Sequence, residues 1–405
     1  MARKAGQIHQ SFNSVLHASR LGAPLATVEH AKLLWNEGQH RKAIQNLEGA
    51  IASDLLWGSP SDLHDSEVTS ANSKQPQSYV MAKAALLLAR WLDGAGQTHS
   101  TEIIAKYNKA TSSHMRWEQG HYYLGRHYNK LYEAQKALPP TKQTQQFLNG
   151  ETAKLVCQSY LRALMFGTKY IFQTMPRLLT LWLDLGELVD QQMDSKHGNE
   201  EFRAHIRKER TKSLRILHTS IKKYSDRLPS WMFFTAFPQI MSRIVHPQET
   251  VYEHLQNIIV KVVSGSPQQA LWPLMAVCRS TSRDRSSRGT RIITQLRESL
   301  TKGRNHNGLE VKNLINQASK LTEQLLNLSN AELPGKSMTV SLSRDLGFNP
   351  KVAPCALVVP IQSVLTVTLP STPDSIKGHL PFPPHQPTIL SKCSFSCSSG
   401  IYPNC

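Results

Sequence analysis

The chain has 405 residues and a mass of 45.5 kDa. Because 40% of its residues are hydrophobic, it can bury a substantial core and is not disordered throughout. Its 47 Lys and Arg against 29 Asp and Glu give a formal net charge of +18, and its six cysteines are too few for a disulfide framework, which indicates a reducing compartment. The most apolar stretch, residues 155–189, is interrupted by charged side chains, so the sequence excludes a membrane-spanning protein as well as a small secreted scaffold.

The first 28 residues combine basic and serine side chains with no acidic one, a composition that resembles a mitochondrial transit peptide. The same segment places Ile8, Phe12, Val15 and Leu16 on one face at helical spacing. Because this pattern continues without a break into the next helical segment, we interpret it as a basic amphipathic helix of the folded body.

Helical periodicity continues from residue 5 to about residue 330. Residues 251–263 show it most clearly, with apolar side chains recurring at the spacing of a core-facing helix. The next helix is predicted to begin at Ser266-Pro267, because Ser can cap a helix, Pro suits its first position and Gln269 can reach back to the capping residue. No sustained strand pattern occurs before residue 338, so the sequence predicts an all-α fold.

Fragments of the tetratricopeptide repeat recur along this helical region. The spacing Gly38-x4-Ala43-x3-Leu47-x2-Ala50 matches the second half of the motif, in which small residues let two helices approach closely. Leu124-Gly125-x2-Tyr128 matches the first half, and an aromatic-to-alanine step recurs at Tyr107-x2-Ala110 and Tyr160-x2-Ala163. The repeat period is not kept, so the pattern predicts an α-solenoid of degenerate tetratricopeptide-like helical hairpins.

Polar and proline-rich stretches divide the chain. Residues 58–76 and 139–150 are predicted to be loops between helices. The last 74 residues, from residue 332 onwards, hold 11 of the 22 prolines, and proline removes the amide that helices and strands need. We therefore expect a helical solenoid over residues 1–331, a Pro-rich extended linker over residues 332–390, and a disordered or non-native tail over residues 391–405.

Basic side chains are concentrated in residues 203–227, where nine Lys and Arg are opposed only by Glu209 and Asp226. Arginines 279, 283, 285, 288 and 291 form a second cluster. Such density could neutralise phosphates, and it could equally be a solvated or protein-facing helix surface. Candidate interaction residues are taken from the first cluster and from the helix that begins at residue 266: Arg207, Lys208, Arg210, Lys212, Gln268, Gln269 and Trp272.

Motifs that carry chemistry are missing from the sequence. Cys393, Cys397 and Cys405 are one ligand short of a structural zinc site unless a distant histidine such as His385 joins them. There is no nucleophile elbow, no Walker A loop, no dinucleotide fingerprint and no protein-kinase motif set. We therefore assign no catalytic, cofactor-binding or metal-binding residue.

Four stretches resemble the FAT region of phosphatidylinositol 3-kinase-related protein kinases, and the ATR-type checkpoint kinases of fungi in particular. They are residues 168–184 (TKYIFQTMPRLLTLWLD), 229–244 (PSWMFFTAFPQIMSRI), 266–275 (SPQQALWPLM) and 359–370 (VPIQSVLTVTLP). Residues 30–51 are similar to the tetratricopeptide-like helices of the same family. The last of the four stretches resembles the segment that leads into the kinase domain.

The resemblance implies a regulatory segment of a nuclear serine/threonine kinase that uses ATP and Mg²⁺ to phosphorylate proteins after DNA damage. In that family the FAT region clamps the kinase domain, contacts a regulatory partner subunit and contributes to dimerisation, with indirect contact to DNA and none to a membrane. After residue 390 the sequence departs from the family pattern. We therefore expect a chain that stops before the kinase domain, needs no cofactor itself and is inactive alone, either as a real product or as a gene-model artefact.

Two other functions remain open at this point. The chain could be a stand-alone tetratricopeptide-like adaptor that binds proteins through a concave face, or a basic helical nucleic-acid-binding protein that uses residues 203–227. An adaptor would need capping helices with polar outer faces at both ends, and the sequence shows no convincing one.

Overall fold

Helices form almost all of the described part of the chain in this computed structural model. The structure describes residues 7–23, 25–52, 74–193, 199–302, 307–330 and residues 341, 343 and 344. No strand occurs within these ranges, so the all-α prediction is confirmed. The predicted linker and tail lie outside the described residues except for those last three positions.

The helices are, in chain order, α1 (Ile8–Arg20), α2 (Ala26–Asn36), α3 (His40–Ala52), α4 (Lys74–Ala95), α5 (Ser100–Ser113), α6 (Glu118–Lys136), α7 (Gln145–Leu148), α8 (Glu151–Phe166), α9 (Ile171–Asp190), α10 (Glu200–Arg227), α11 (Ser230–Phe234), α12 (Phe237–Ser242), α13 (Glu249–Gly265), α14 (Pro267–Cys278), α15 (Arg283–Lys302) and α16 (Asn307–Ser329). They fall into two compact units. Unit 1 comprises the described parts of Met1–Tyr170 and Met193–Leu217, and unit 2 those of Ile171–Gln192 and His218–Cys405.

Unit 1 is a row of helical hairpins. Helices α2 and α3 pack together, as do α4 with α5 and α6 with α8, and successive pairs touch through α3 with α4 and α5 with α6. Each pair therefore shares its apolar surface mainly with its neighbours, which is the arrangement of an α-solenoid. The predicted degenerate hairpins are confirmed here.

The repeat-like spacings lie at buried helix contacts of unit 1. Ala43, Leu47 and Ala50 are all buried in the core that α2 to α6 share. Gly125 of α6 faces the buried ring of Tyr160 on α8, and a Cβ added to Gly125 would lie 2.7 Å from that ring. The glycine is required there because any larger side chain would push the two helices apart.

The ends and breaks of unit 1 differ in part from the sequence prediction. Helix α1 forms as predicted, but its apolar face is only partly covered, and Leu16 keeps 52% of its surface exposed. The predicted loop over residues 58–76 is too long at its end, because α4 already begins at Lys74 and Pro76 lies in its first turn, where proline is tolerated. The break over residues 139–150 is confirmed, as a 3₁₀ turn at Pro140–Lys142 followed by the one-turn helix α7.

Unit 2 is organised around one helix. Helix α14 contacts α12, α13, α15 and α16, and α13 and α15 also touch each other. The apolar stripe predicted on residues 251–263 is entirely buried: Val251, Tyr252, Leu255, Ile258, Ile259, Val262 and Val263. Trp182 of α9 is among the largest fully buried side chains, which places α9 in the core of this unit.

The junction between α13 and α14 is tighter than the sequence indicates. Helix α14 begins at Pro267 as predicted, but the side chain of Ser266 makes no capping hydrogen bond, which corrects that expectation. The amide of Ser266 instead donates to the carbonyl of Val262 at 2.9 Å, because Ser266 also ends α13. One residue therefore serves both helices, and Gln269 has no capping amide to reach.

Candidate interaction surfaces

The basic segment predicted from residues 203–227 is the long helix α10. Its N-terminus is capped by Asn199, whose Oδ1 accepts from the amide of Phe202 at 3.0 Å, and Glu200 and Glu201 place negative charge at the positive end of the helix dipole. Its apolar stripe is buried and consists of Ile206, Leu214, Leu217 and Ile221. The helix is amphipathic, so most of its basic side chains face away from the core.

Arg210 is an exception and corrects its assignment to the exposed interaction surface. Its side chain is only 5% exposed, and its Nε and Nη2 donate to the carbonyl of Leu148 at 3.0 and 2.8 Å. Leu148 ends the one-turn helix α7, where carbonyls lack partners within the helix. Burial lowers the pKa of Arg210 from its ordinary value, yet the two bonds show why the cation is retained there. Arg210 joins two segments of unit 1 and does not face a partner.

The other three basic candidates of α10 differ in how far their charge is compensated. Arg207 Nη2 lies 2.8 Å from Glu200 Oε1, and Lys212 Nζ lies 3.4 Å from Glu209 Oε2. Glu200 lies just before residues 203–227, so the count of acidic side chains in that segment did not include its carboxylate. Lys208 is exposed and has no ion pair within the described part of the chain. The excess positive charge of this face is therefore smaller than the sequence indicates.

Gln268, Gln269 and Trp272 lie on α14 of unit 2 and are all half-buried. Trp272 precedes Pro273, whose missing amide leaves one helical carbonyl of α14 without its usual donor. The structure thus places the two predicted sets in different units: Arg207, Lys208 and Lys212 in unit 1, and these three residues in unit 2.

Three arginines of the second cluster form hydrogen bonds or ion pairs within unit 2. Arg288 Nη1 donates to the carbonyls of Ile244 and His246 at 3.0 and 2.7 Å, and its guanidinium carbon lies 4.1 Å from the ring centre of Tyr252. Arg291 Nη1 lies 3.0 Å from Glu249 Oε1, and Arg279 Nη2 lies 3.4 Å from Glu323 Oε2. These arginines join α15 and α14 to their neighbours, so they offer little charge to a phosphate.

A group of tyrosines and basic residues that the sequence analysis did not single out lies on unit 1. The rings of Tyr122 and Tyr170 are stacked, with centroids 3.8 Å apart and planes 5° apart, and Tyr123 meets Tyr170 edge-on at 6.1 Å. The guanidinium carbon of Arg90 lies 4.3 Å from the centroid of Tyr123, and that of Arg126 lies 5.9 Å from it. Lys169 Nζ lies 5.5 Å from the centroid of Tyr170. These six residues, Arg90, Tyr122, Tyr123, Arg126, Lys169 and Tyr170, are called the arginine–tyrosine cluster below.

The connection between α8 and α9 is anchored so that it can carry part of this cluster. Glu118, the first residue of α6, accepts a hydrogen bond from the amide of Tyr170 at 3.0 Å. A Cβ on Gly167 would lie 2.1 Å from Glu118 Oε2, so only glycine allows the connection to approach this carboxylate. Burial raises the pKa of Glu118, although the amides of Tyr170 and Lys169 act in the opposite direction. Glu118 is therefore engaged mainly with the backbone, and the positive charge of Lys169 also acts on it.

Unit 2 packs a pair of half-buried histidines against a buried tryptophan. The rings of His218 and His254 are 4.7 Å apart, and each meets Trp182 edge-on, at 6.1 and 6.4 Å. Burial lowers the pKa of His218 to about 4, and the charges of His254 and His246 act in the same direction. Burial also lowers the pKa of His254. Both imidazoles are therefore neutral at physiological pH, and protonating either one disfavours the folded unit.

Metal and thiol chemistry find no support in the described residues. No group of three or more His, Cys, Asp or Glu side chains within the described ranges could hold a metal ion. Cys157 and Cys278 are free thiols, and burial raises the pKa of both, to about 11 for Cys278. The cysteines at positions 393, 397 and 405 lie outside the described residues. None of the helices that the structure describes is long and apolar enough to cross a membrane.

Two family models match the chain in succession. The model described as the FAT domain matches residues 1–180, and the model described as the HEAT repeats of ATR-like serine/threonine-protein kinases matches residues 216–322. The first match covers most of unit 1 and the second lies almost entirely in unit 2. The two matched segments are therefore also the two structural units, to within a few tens of residues at their boundary.

Named relatives match the chain over nearly all of its length. Protein kinase rad3 of Schizosaccharomyces pombe is 37% identical over 394 residues, which cover 96% of the chain and 16% of the relative. Serine/threonine-protein kinase ATR of Oryza sativa subsp. indica is 28% identical over 426 residues, covering 96% of the chain and 15% of the relative. Serine/threonine-protein kinase MEC1 of Candida albicans is 27% identical over 373 residues, covering 92% and 14%. The chain spans about one sixth of the length of these kinases.

Proposed function

Because this chain belongs to the FAT segments of ATR-type phosphatidylinositol 3-kinase-related protein kinases, we propose that it holds the kinase domain and partner subunits of a DNA-damage checkpoint kinase. The observation that carries this proposal is the order of the two family matches, FAT at residues 1–180 and ATR-like HEAT repeats at residues 216–322, over two compact helical units. The relatives that match 92–96% of the chain are named as protein kinases.

The architecture of unit 1 suits a mechanical role. Its hairpins contact mainly their neighbours, so the row can flex without breaking one central core. A row of this kind can hold another domain and respond when a partner shifts the balance between its conformations. We therefore assign to unit 1 the role of a flexible support for the kinase domain.

Two surfaces, one exposed or half-buried and the other half-buried, are the proposed contact regions. On unit 1 it is the outer face of α10 with Arg207, Lys208 and Lys212, and on unit 2 it is the start of α14 with Gln268, Gln269 and Trp272. Arg210 is excluded because its guanidinium is bonded to Leu148. The proposed occupants are the kinase domain of the parent protein and its regulatory partner subunit, in a parent that forms a dimer in the nucleus.

The chemistry of the parent is assigned to its kinase domain. ATP and Mg²⁺ would bind there, since this sequence has no phosphate-binding loop and no kinase motif set. Contact with DNA is proposed to be indirect. The ion pairs of Arg207 and Lys212 support this view over direct nucleic-acid binding by α10, because side chains that already face a carboxylate release fewer counterions from DNA.

A segment exchange tests the proposal. The part of protein kinase rad3 that matches this chain is replaced by the 405-residue chain, and the purified product is assayed for ATP-dependent phosphorylation of a protein substrate. We expect the exchanged protein to remain a single assembled species with kinase activity well above that of a rad3 variant in which the segment is deleted.

The matched control is an exchange with an unrelated helical-repeat segment of equal length. Equal activity of the two exchanged proteins would refute a specific holding role. A separate pull-down of the isolated rad3 kinase domain by the full chain distinguishes the modes of contact. Binding by packing persists at salt concentrations that abolish phosphate-type contacts, whereas loss of binding in moderate salt would favour a diffuse electrostatic surface.

A further inference from the structure

The arginine–tyrosine cluster of unit 1 combines several cations with little opposing charge. Arg90, Arg126 and Lys169 are exposed, and none of them has an ion-pair partner within the described residues. The neighbouring carboxylates are engaged elsewhere. Asp93 binds Lys130 at 2.7 Å and lies 3.3 Å from His127, and Glu118 accepts backbone amides of the α8–α9 connection. Arg90 and Arg126 therefore present uncompensated charge to the solvent, and the charge of Lys169 is partly offset by Glu118.

Each of these cations lies near a tyrosine ring. Arg90 lies over the face of Tyr123 at 4.3 Å, a distance typical of a cation–π contact. A guanidinium that lies on a ring keeps its N–H donors at its edge and directs them outwards, where they can meet a carboxylate or phosphate in pairs. Tyr123 is itself held edge-on by Tyr122 at 5.1 Å and by Tyr170 at 6.1 Å. The platform under Arg90 is thus built by packing on two sides.

The position of Lys169 is fixed by a separate contact. Tyr170 stacks on the buried Tyr122, and its amide is bonded to Glu118. Because Lys169 is the preceding residue, its backbone is held by the same two anchors. A site whose charges are already positioned loses less conformational entropy when it binds than a set of free lysines does.

The packing of the rings decides which anionic partner fits. Nucleic acids without sequence preference bind by stacking their bases on open aromatic faces. Here one face of Tyr123 is covered by Arg90, and Tyr170 is stacked on Tyr122. The cluster offers exposed N–H donors and little open ring, so it matches carboxylate or phosphate groups on a polypeptide better than bases.

We propose that the arginine–tyrosine cluster, formed by α4, α6 and the α8–α9 connection, is a docking site for an acidic polypeptide segment. Arg90 and Arg126 bind its side-chain carboxylates or phosphates, and Lys169 adds a third positive charge. The site lies within unit 1 and does not depend on which protein the whole chain belongs to.

Fluorescence anisotropy of the full chain with a labelled oligo-glutamate peptide tests the proposal. The double substitution Arg90→Gln/Arg126→Gln is expected to weaken peptide binding about tenfold at moderate salt, since it removes two charge-assisted contacts. The matched control is Lys42→Gln/Lys109→Gln, which removes the same charge from exposed positions of unit 1 that lie on no tyrosine, and it is expected to change binding less than about twofold. Circular dichroism spectra of both variants verify that they are folded.

The substitution Arg90→Lys separates an oriented site from diffuse attraction. It keeps the charge but removes the planar donors, so we expect binding to weaken about threefold to fivefold. A phosphoserine-containing peptide serves as a second probe, and tighter binding of it than of oligo-glutamate identifies phosphate as the preferred anion of the same site.

Three results would overturn the proposal. The first is that the chain binds neither peptide, and the second is that the control pair weakens binding as much as the arginine pair. The third is that labelled oligothymidine of equal charge binds more tightly than the peptides and is lost in the same arginine variant, which would make the cluster a nucleic-acid site.

Discussion

Unit 1 and unit 2 are built from similar helices but connect them differently. In unit 1 each hairpin packs mainly against the next one, whereas in unit 2 the single helix α14 touches α12, α13, α15 and α16. A row of neighbours distributes stability along the chain, so damage at one point stays local. A unit arranged around one helix loses its common core when that helix is disturbed. Helices of similar kind can therefore give a flexible row or a cooperative block, depending on which helices contact one another.

The largest expected effect is the response of each unit to a cavity. Leu274 of α14 and Leu47 of α3 are both fully buried leucines, and truncating either to alanine costs about 2–5 kcal/mol. We expect Leu274→Ala to accelerate amide hydrogen exchange in α12 to α16 together, because all of them pack on or beside α14. Leu47→Ala should accelerate exchange in α2 to α4 and leave α8 protected.

The proposed difference between the two units is wrong if Leu47→Ala accelerates amide hydrogen exchange in α8 as strongly as in α3. In that case unit 1 would unfold as one block, and its hairpins would not be independent neighbours.

Arg210 tests a long-range link within the row of unit 1. Its guanidinium joins α10 to Leu148, 62 residues away in sequence. Replacing it by methionine leaves the carbonyl of Leu148 without its donors, and we expect a loss of about 1–3 kcal/mol in the free energy of unfolding, measured in urea. The control Lys208→Met, at an exposed position of the same helix, should change stability by less than about 0.5 kcal/mol. Equal effects of the two substitutions would contradict a structural role for Arg210.

Acid should weaken unit 2 through the half-buried His218. The pKa of His218 is lowered to about 4 from an ordinary value of 6.5, so the unfolded chain binds a proton that the folded unit excludes. The stability that this difference provides is complete above about pH 6.5, declines as the pH falls through this range, and is gone below about pH 4. We expect about 1–3 kcal/mol of acid-dependent loss in unit 2.

Hydrogen exchange of α13 followed between these pH values measures this loss. The substitution His218→Gln removes the titrating group and should flatten the pH dependence of α13. His121 of unit 1 also has a pKa lowered by burial, so the exchange of α6 should keep its own pH dependence in this variant. An unchanged pH profile of α13 in His218→Gln would show that another group causes the acid sensitivity.

The smallest expected effect compares two helical glycines of unit 1. Gly49 has nothing within 4 Å of the place where a Cβ would stand, so Gly49→Ala should stabilise the chain by about 0.5–1 kcal/mol through helix propensity alone. Gly125→Ala gains the same propensity but would bring a methyl group within 2.7 Å of the Tyr160 ring, and we expect it to destabilise by about 1 kcal/mol. Thermal unfolding of both variants measures the difference. Stabilisation by Gly125→Ala would show that α6 and α8 can separate at little cost.

Much of the helical architecture could be predicted from local patterns. The apolar stripe of residues 251–263 is buried as a whole, and the small residues at positions 43, 50 and 125 mark close helix contacts as the repeat spacing indicates. These patterns succeed because helix periodicity and steric size act over a few residues, and tertiary packing then uses the face they create. The prediction that the Ser266 side chain caps α14 was wrong, because that residue also ends α13. A junction of one residue between two helices has no distinct sequence signature.

The candidate surfaces were less predictable. A count of charges in residues 203–227 could not reveal that Arg210 turns inwards to Leu148, nor that Glu200 compensates Arg207. The arginine–tyrosine cluster joins α4, α6 and the connection after α8, so no short stretch of sequence contains it. The adjacent tyrosines at positions 122 and 123 and the Lys169-Tyr170 pair were the only local signals, and each is common in helical proteins.

The sequence by itself determined that the described part of the chain is all-α, where most of its helices lie, which of their faces are apolar, and that the chain resembles ATR-type FAT segments. Each of these depends on side-chain size, polarity and spacing within one or two helical turns. Only the tertiary structure decided that the hairpins form a row in unit 1 and surround α14 in unit 2, and which charges are buried, paired or free. Those outcomes depend on contacts between residues far apart in the chain, and the energy of a charge is set by the groups and the solvent around it, which the linear order of residues does not specify.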